Sequence, residues 1–207
     1  MGLYSRYIFP FIMDSGLGSD NVREQRLKIL PQAVGEVLEI GFGTGLNLPY
    51  YTEKARKLSV LDSEKAGLSR IKERIAASKV PVEQFHLDAS NRLPFADNQF
   101  DTVVTTFTLC SIADLSPALA EIRRVLKPEG RYLFLEHGRS DNPSTAKWQD
   151  RFNPIQKIVG CGCNINRPIS EFIKEAGLTI VSLDRFALRD VPRIMGEMYR
   201  GIASPNK

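Results

Sequence analysis

Apolar positions along this chain fall into two alternating rhythms. Short runs rich in apolar and β-branched residues predict strands at 36–40, 58–61, 82–86, 101–106, 131–136 and 178–186, with a last one near 194–203. Between them, apolar residues recur three or four positions apart. The stretch 21–30 sets Val22, Leu27 and Leu30 among charges and predicts a helix before the first strand. The stretch 63–77 opens on a capping serine and carries Leu68, Ile71 and Ile75. Ser116-Pro117 supplies a cap and a first-turn proline ahead of Leu119, Ile122 and Leu126. A short helix at 170–176 closes at Gly177. Strands alternating with helices predict an α/β fold, an open twisted sheet of seven mostly parallel strands with helices on both faces. Ligands of such sheets sit beyond the carboxyl ends of the strands. Glu39, Asp62, Asp88, Thr106 and the pair Glu136-His137 all fall at predicted strand ends, which points to one site.

The run Val37-Leu38-Glu39-Ile40-Gly41-Phe42-Gly43-Thr44-Gly45 leads a strand into three glycines at alternate positions. Glycines there admit positive φ and let a ligand come close to the backbone, although the pattern alone also describes a tight strand-to-helix turn. Asp62 ends the next strand, 21 residues beyond Gly41, where an acidic residue of a nucleotide-binding βαβ unit meets ribose hydroxyls. Leu46 stands where a dinucleotide fingerprint needs its third glycine, and no Lys-Ser pair follows to make a phosphate loop. These residues describe a turn that meets a ribose-bearing ligand without a diphosphate. Glu39 is a carboxylate inside an apolar strand and needs a donor partner, an ammonium group or the turn amides.

Leu38-Glu39-Ile40-Gly41-Phe42-Gly43-Thr44-Gly45 resembles motif I of the class I S-adenosylmethionine (SAM)-dependent methyltransferases. Asp88-Ala89, Leu93-Pro94-Phe95, the strand from Phe100 to Val104 and the turn Arg124 to Arg131 resemble the same family's later motifs. The likeness covers roughly 35–138 and implies a Rossmann-like fold with SAM as cofactor. It implies that Glu39, Gly41, Gly43 and Gly45 hold the methionine end, with Asn47 beside them. Asp62, with Ser63 next to it, binds the ribose on this reading. Asp88 and the backbone of Ala89 take the adenine edge, and Thr106 and Leu109 line the site after strand four. Thr108 to Ile112, Leu135-Glu136-His137, Gly162-Cys163-Asn164 and Arg167 further resemble a subgroup that includes membrane-associated alkyl-thiol methyltransferases. This second likeness runs from about Arg23 onward and makes a small thiol the leading acceptor. One departure is the lack of the long apolar N-terminal anchor of the membrane-bound members, so their placement is not carried over.

Methyl transfer from a sulfonium asks mainly for alignment, plus deprotonation where the acceptor needs it. His137 is the expected base, and His86 is the other histidine. A thiol with a pKa of about 8.5 is partly ionised already, and a cation such as Arg167 raises that fraction. Residues 1–20, with Tyr4, Tyr7, Phe9 and Phe11 before a Gly/Ser/Asp-rich connector, read as a lid or packing arm. Residues 21–207 then form the methyltransferase domain. Within it, 139–168 is a substrate-side insertion: a turn at 140–143, a helix around Trp148, then Cys161-Gly162-Cys163. Tyr4, Trp148, Cys163, Asn164 and Arg167 are the expected acceptor-side residues.

Composition narrows this picture. With 43% hydrophobic and 25% charged residues, 207 positions suffice for one cored domain. The longest apolar stretches, 7–13 and 132–135, are far short of a bilayer span, and no signal peptide is legible. Three cysteines without framework spacing fit a reducing cytoplasm, and Cys-x-Cys without a second pair is poor zinc spacing, so no metal is expected. The net charge of +4 lies wholly in 139–207, where 11 basic residues meet 7 acidic ones. No basic stripe is interleaved with aromatics, so nucleic acid is not an expected partner. The expected partner is a small-molecule acceptor, with peripheral membrane contact through the aromatic N-terminus left open. The alternatives are a quinone-ring or phospholipid-amine acceptor, a NAD(P)-binding oxidoreductase, or a non-catalytic SAM-binding protein.

Overall fold

The structure, a computed structural model, describes residues 9–63 and 68–206. Seven strands form one sheet: β1 (Gly35–Ile40), β2 (Ala55–Asp62), β3 (Val82–His86), β4 (Phe100–Thr106), β5 (Leu126–His137), β6 (Leu178–Ala187) and β7 (Glu197–Pro205). Their order is β3-β2-β1-β4-β5-β7-β6. The first five run parallel, and β7 inserts antiparallel between β5 and β6. The order reverses between β1 and β4, so their carboxyl ends open a crevice, the place where such sheets bind ligands.

Alternation along the strands divides the core in two. Leu38 and Ile40 of β1, Val103 of β4 and Tyr132 and Phe134 of β5 point to one face. There they meet Leu119, Ile122 and Val125 of helix α4 (Leu115–Val125). Val37, Val104, Leu133 and Leu135 point to the other face and meet Val22 and Ile29. Burying each large aliphatic side chain contributes roughly 1.5–3 kcal/mol, so each face is anchored by its helix stripe. The helices of the second face include α2 (Asp20–Ile29) and α3 (Leu68–Ala76).

The predicted elements recur with several differences. Helix α4 starts at Leu115 after Asp114, so Ser116 is inside it and not its cap, and Leu126 opens β5 where a last helical position was expected. Helix α1 (Phe9–Leu17) extends into the stretch read as a connector and is closed where the Gly18 amide reaches the Asp14 carbonyl. The glycine turn leads into a single 3-10 turn at Leu48–Tyr50 that carries Pro49 in its first positions. The strand expected near 194–203 begins later, because α7 (Arg193–Gly196) follows Pro192 and hands over to β7 at Glu197. In α2 the inward residues are Val22, Gln25, Arg26 and Ile29, while Leu27 is 59% exposed. After β5 come α5 (Pro143–Val159), capped by Asn142 through the amides of Ser144 and Thr145, and α6 (Ile169–Glu175).

Candidate active site

The carboxyl ends of β1, β2, β4 and β5 border a cavity of about 780 Å³. Its floor is the glycine turn. Gly41 has φ +79°, and a Cβ there would stand 2.0 Å from the Thr108 hydroxyl oxygen. Gly43 has φ +55° with nothing within 4 Å of an added Cβ, so its backbone faces open space. Its amide donates to Asp62 Oδ2 at 2.6 Å, which joins the turn to the end of β2. Gly45 does not line the cavity; it packs on Phe42 and Leu48.

Glu39 lies behind the wall, fully buried. Its Oε2 accepts from the Tyr51 hydroxyl at 2.7 Å, and its Oε1 accepts from Asn47 Nδ2 at 2.9 Å. Asn47 also donates to Thr106 Oγ1 at 2.9 Å and accepts from Arg26 Nε at 2.8 Å. Burial lifts the Glu39 carboxyl to about 7 against these hydrogen bonds. The donor partner expected for Glu39 is thus supplied within the chain, and Asn47, Thr106 and Arg26 reach the cavity in its place.

Arg26 was not foreseen. Its guanidinium is buried, stacks over Phe107 with 5.9 Å to the ring centroid, and lines the cavity. The signal was present: an arginine in phase with Val22 and Ile29, on a stripe where a lone charge requires a reason. Phe107 was also missed. It holds φ +54° and stands edge-on to the His137 ring, 5.1 Å between centroids. Cys161, which also lines the cavity, holds φ +46°. Left-handed backbone at non-glycine residues costs of order 1–3 kcal/mol and concentrates at ligand sites.

Asp62, Ser63, Asp88, Ala89 and Ser90 follow the glycine turn along one wall. The Asp88 carboxylate accepts from the Ser90 amide at 2.8 Å. Leu109 turns into the core, fully buried, and its neighbours Thr108, Cys110, Ser111 and Ile112 face the cavity instead.

His137 and Met195 line the other end. Burial depresses the imidazole to about 4 against a hydrogen bond with the Met195 backbone, and its Nδ1 is sequestered from solvent with no hydrogen-bond partner. Cys163 lines the cavity with its sulfur 3.4 Å from that of Cys110, a contact that lowers the Cys163 pKa and raises that of Cys110. Asn164 and Arg167 stand behind this wall. Asn164 Nδ2 donates to the Cys110 carbonyl at 3.0 Å, and Arg167 donates to that of Leu109. Trp148 lies on the outer side of α5, half exposed and away from the cavity. Tyr4 lies outside the described residues.

From α1, Asp14 accepts from the Thr44 hydroxyl at 2.6 Å and from Arg74 at 2.8 Å, with Arg70 at 2.9 Å. The hydrogen bond from Arg74 holds the Asp14 carboxyl below its usual range. The helix is thereby fastened to the glycine turn and to α3, and Leu17 reaches the cavity. Among the described residues no three His, Cys, Asp or Glu side chains are grouped to hold a metal ion, and no helix is long and apolar enough to cross a membrane.

The fold is shared with known proteins. Residues 38–134 match the family described as "Methyltransferase domain". The chain is 32% identical over 165 residues to human thiol S-methyltransferase TMT1B, covering 77% of this chain and 67% of that protein. It is 31% identical to phosphatidylethanolamine N-methyltransferase of Cereibacter sphaeroides, covering 74% of each. The fold superposes on Burkholderia thailandensis 1,6-didemethyltoxoflavin-N1-methyltransferase, solved with S-adenosylhomocysteine, at a TM-score of 0.65 and 18% identity, over 95% of this chain and 86% of that one. The chain belongs to the SAM-dependent methyltransferases. It spans about two thirds of the length of the thiol methyltransferases it matches.

Proposed function

We propose that this methyltransferase alkylates the sulfur of a small, partly apolar thiol. SAM, when bound, supplies a methyl group on a sulfonium sulfur. The open backbone at Gly43 and the polar set of Arg26, Asn47 and Asp62 fit that cofactor. Asp62 would hold the ribose hydroxyls, and Asp88 with the Ala89 backbone the adenine edge. Arg26 would pair with the methionine carboxylate, held in place by Asn47, which Glu39 and Thr106 orient in turn. The tethered α1 serves as a lid over this end, with 139–168 as the acceptor-side insertion.

The observation that carries the acceptor class is the state of His137. A histidine depressed to about 4 is neutral at pH 7 and a poor store for a proton. Its Nδ1 is sequestered from solvent, so the imidazole serves this end as a neutral lining group and not as a proton acceptor. An acceptor of pKa about 8.5 ionises readily without a strong base, whereas an amine of pKa about 10.4 does not. Phe107, Ile112 and Met195 give this end an apolar lining. Similarity to the thiol S-methyltransferases supports the reading. Phosphatidylethanolamine methylation is the second reading, carried by the 31% identity to that enzyme. The cytoplasm is the proposed site of action, supported by cysteines without framework spacing.

The test is a parallel assay with SAM on an alkyl-thiol series, phosphatidylethanolamine and a reduced quinone. S-methylated product with alkyl thiols is expected. Turnover of the amine or the ring with no thiol product would overturn the proposal.

A further inference from the structure

A surface helix of a folded protein normally turns its apolar stripe to the core. Helix α5 does the reverse. Its inward side is Ala146, Gln149, Asn153 and Gln156, of which Ala146 and Gln149 are buried. Gln149 Nε2 donates to the carbonyls of Gly138 at 3.0 Å and Ile165 at 2.9 Å, and its Oε1 accepts from the Ser140 amide at 2.8 Å. Asn153 donates to Asn164 Oδ1 and accepts from the Ile165 amide, each at 3.0 Å. The outward side carries Trp148, Phe152, Ile155, Ile158 and Val159, exposed by 40–78%. At 1.5 Å per residue this apolar stripe is about 16 Å long.

The charges on the helix complete the pattern. Its acid, Asp150, is taken up by Arg139 at 2.6 and 2.8 Å. Lys147 and Arg151 fall on the outward side and enter no ion pair among the described residues; Arg151 stacks over Trp148 at 5.8 Å. An apolar stripe with unpaired cations and an interfacial tryptophan matches the chemistry of an anionic lipid surface. A second copy seated on the same stripe would bring Lys147 and Arg151 to their own kind, with no free acid to meet them. The stripe also leads to the site. Gln156 and Gly160, at the end of α5, line the cavity, as does Met195, itself 40% exposed.

We infer that the outward face of α5 docks the protein on an anionic lipid surface, with the cavity mouth beside the lipid. This holds whatever the acceptor, and its test reads binding alone. Trp148 is the single tryptophan of the chain, so its fluorescence reports the stripe directly. The full chain is titrated with phosphatidylglycerol–phosphatidylcholine vesicles and with phosphatidylcholine vesicles. A blue shift and protection from acrylamide are expected on the anionic vesicles. Lys147→Glu/Arg151→Glu should weaken binding by roughly 30-fold or more. Ile155→Asp/Ile158→Asp should abolish co-flotation while SAM affinity, measured by calorimetry, stays at the wild-type value. The inference is overturned by co-flotation that survives Ile155→Asp/Ile158→Asp, or by absence of any shift on anionic vesicles. It is overturned equally by a shift on concentrating the protein alone with doubled mass in light scattering, which would make a second copy the occupant.

Discussion

The glycine-turn end and the His137 end of the cavity, the donor and acceptor ends of the proposed function, are built in different ways. The donor end comes largely from one stretch, from Glu39 to Ser90, on adjacent parallel strands, and its groups reach each other over single short bonds such as Gly43 to Asp62 at 2.6 Å. The acceptor end is gathered from the turn after β4, His137, the loop after α5 and Met195. Its ties cross long distances in sequence, as the 53 residues between Cys110 and Cys163 show. One end is fixed by backbone geometry, the other by packing between distant segments. Substitutions should therefore be severe and uniform at the first, milder and selective for acceptor at the second.

Gly41→Val tests the severe end most directly, since it meets both the positive φ and the Thr108 side chain. A loss of about 3 kcal/mol or more is expected in denaturant unfolding; a near-wild-type midpoint would break the comparison. Asp62→Ala should weaken SAM binding roughly 10- to 100-fold by calorimetry, through loss of charged hydrogen bonds. Unchanged affinity would remove the ribose assignment.

At the acceptor end, His137→Gln should slow thiol turnover by less than the ~100-fold that loss of a true general base costs. The wild-type kcat/KM for a thiol should rise with ionisation of the thiol toward pH of about 8.5. With the imidazole at about 4, no limb is expected near 6.5, and a limb there would restore His137 as a titrating base.

Glu39 joins pH to the donor end. Burial raises its carboxyl from 4.5 to about 7, so across that window the folded protein keeps a proton the unfolded chain has lost. Its stabilising contribution is full below 4.5 and falls as pH rises through 7. Glu136, raised in the same way, adds to this slope. His137, lowered from 6.5 to about 4, opposes it, because its contribution is full above 6.5 and lost as pH falls to 4. Glu39→Gln should flatten the decline between pH 5 and 7 by up to roughly 1.4 kcal/mol per pH unit. The smallest effect is expected for Asp14→Asn, which loosens partly exposed ion pairs and should speed SAM release a few-fold in stopped flow, with stability changed by less than about 1 kcal/mol. An unaltered release rate would mean that α1 is a packing arm and no lid.

Much of the donor end was legible in the chain because it depends on neighbours in sequence. The glycine turn, Asp62 and Asp88 stand at or just beyond strand ends that short apolar, β-branched runs locate, and the same runs overlap all seven strands, the last one displaced by α7. The role of Glu39 was less legible, since the partners that occupy it, Tyr51 and Asn47, arrive through the irregular 3-10 turn. Arg26 and Leu27 exchanged places because a rotation of one position on a short helix cannot be fixed from three apolar residues. Leu109, Asn164, Arg167 and Trp148 were assigned to the site by segment, but a segment does not dictate which of its side chains faces inward. For α5 the ordinary expectation of apolar-inward packing is reversed, and only the hydrogen bonds of Gln149 and Asn153 reveal it.

Phe107 limits the choice of residues at its own position. Its left-handed backbone is comfortable for glycine, asparagine, aspartate or histidine and hostile to β-branched side chains. Its ring also supports both Arg26 and His137. A glycine, asparagine or aspartate that relaxes the backbone abandons the ring contacts, a histidine keeps only a smaller and more polar ring, and a β-branched residue that restores bulk worsens the strain. Attempts to widen acceptor range will therefore find this position a poor starting point, and the freer choices lie beside it at the same end, at Ile112 and Met195.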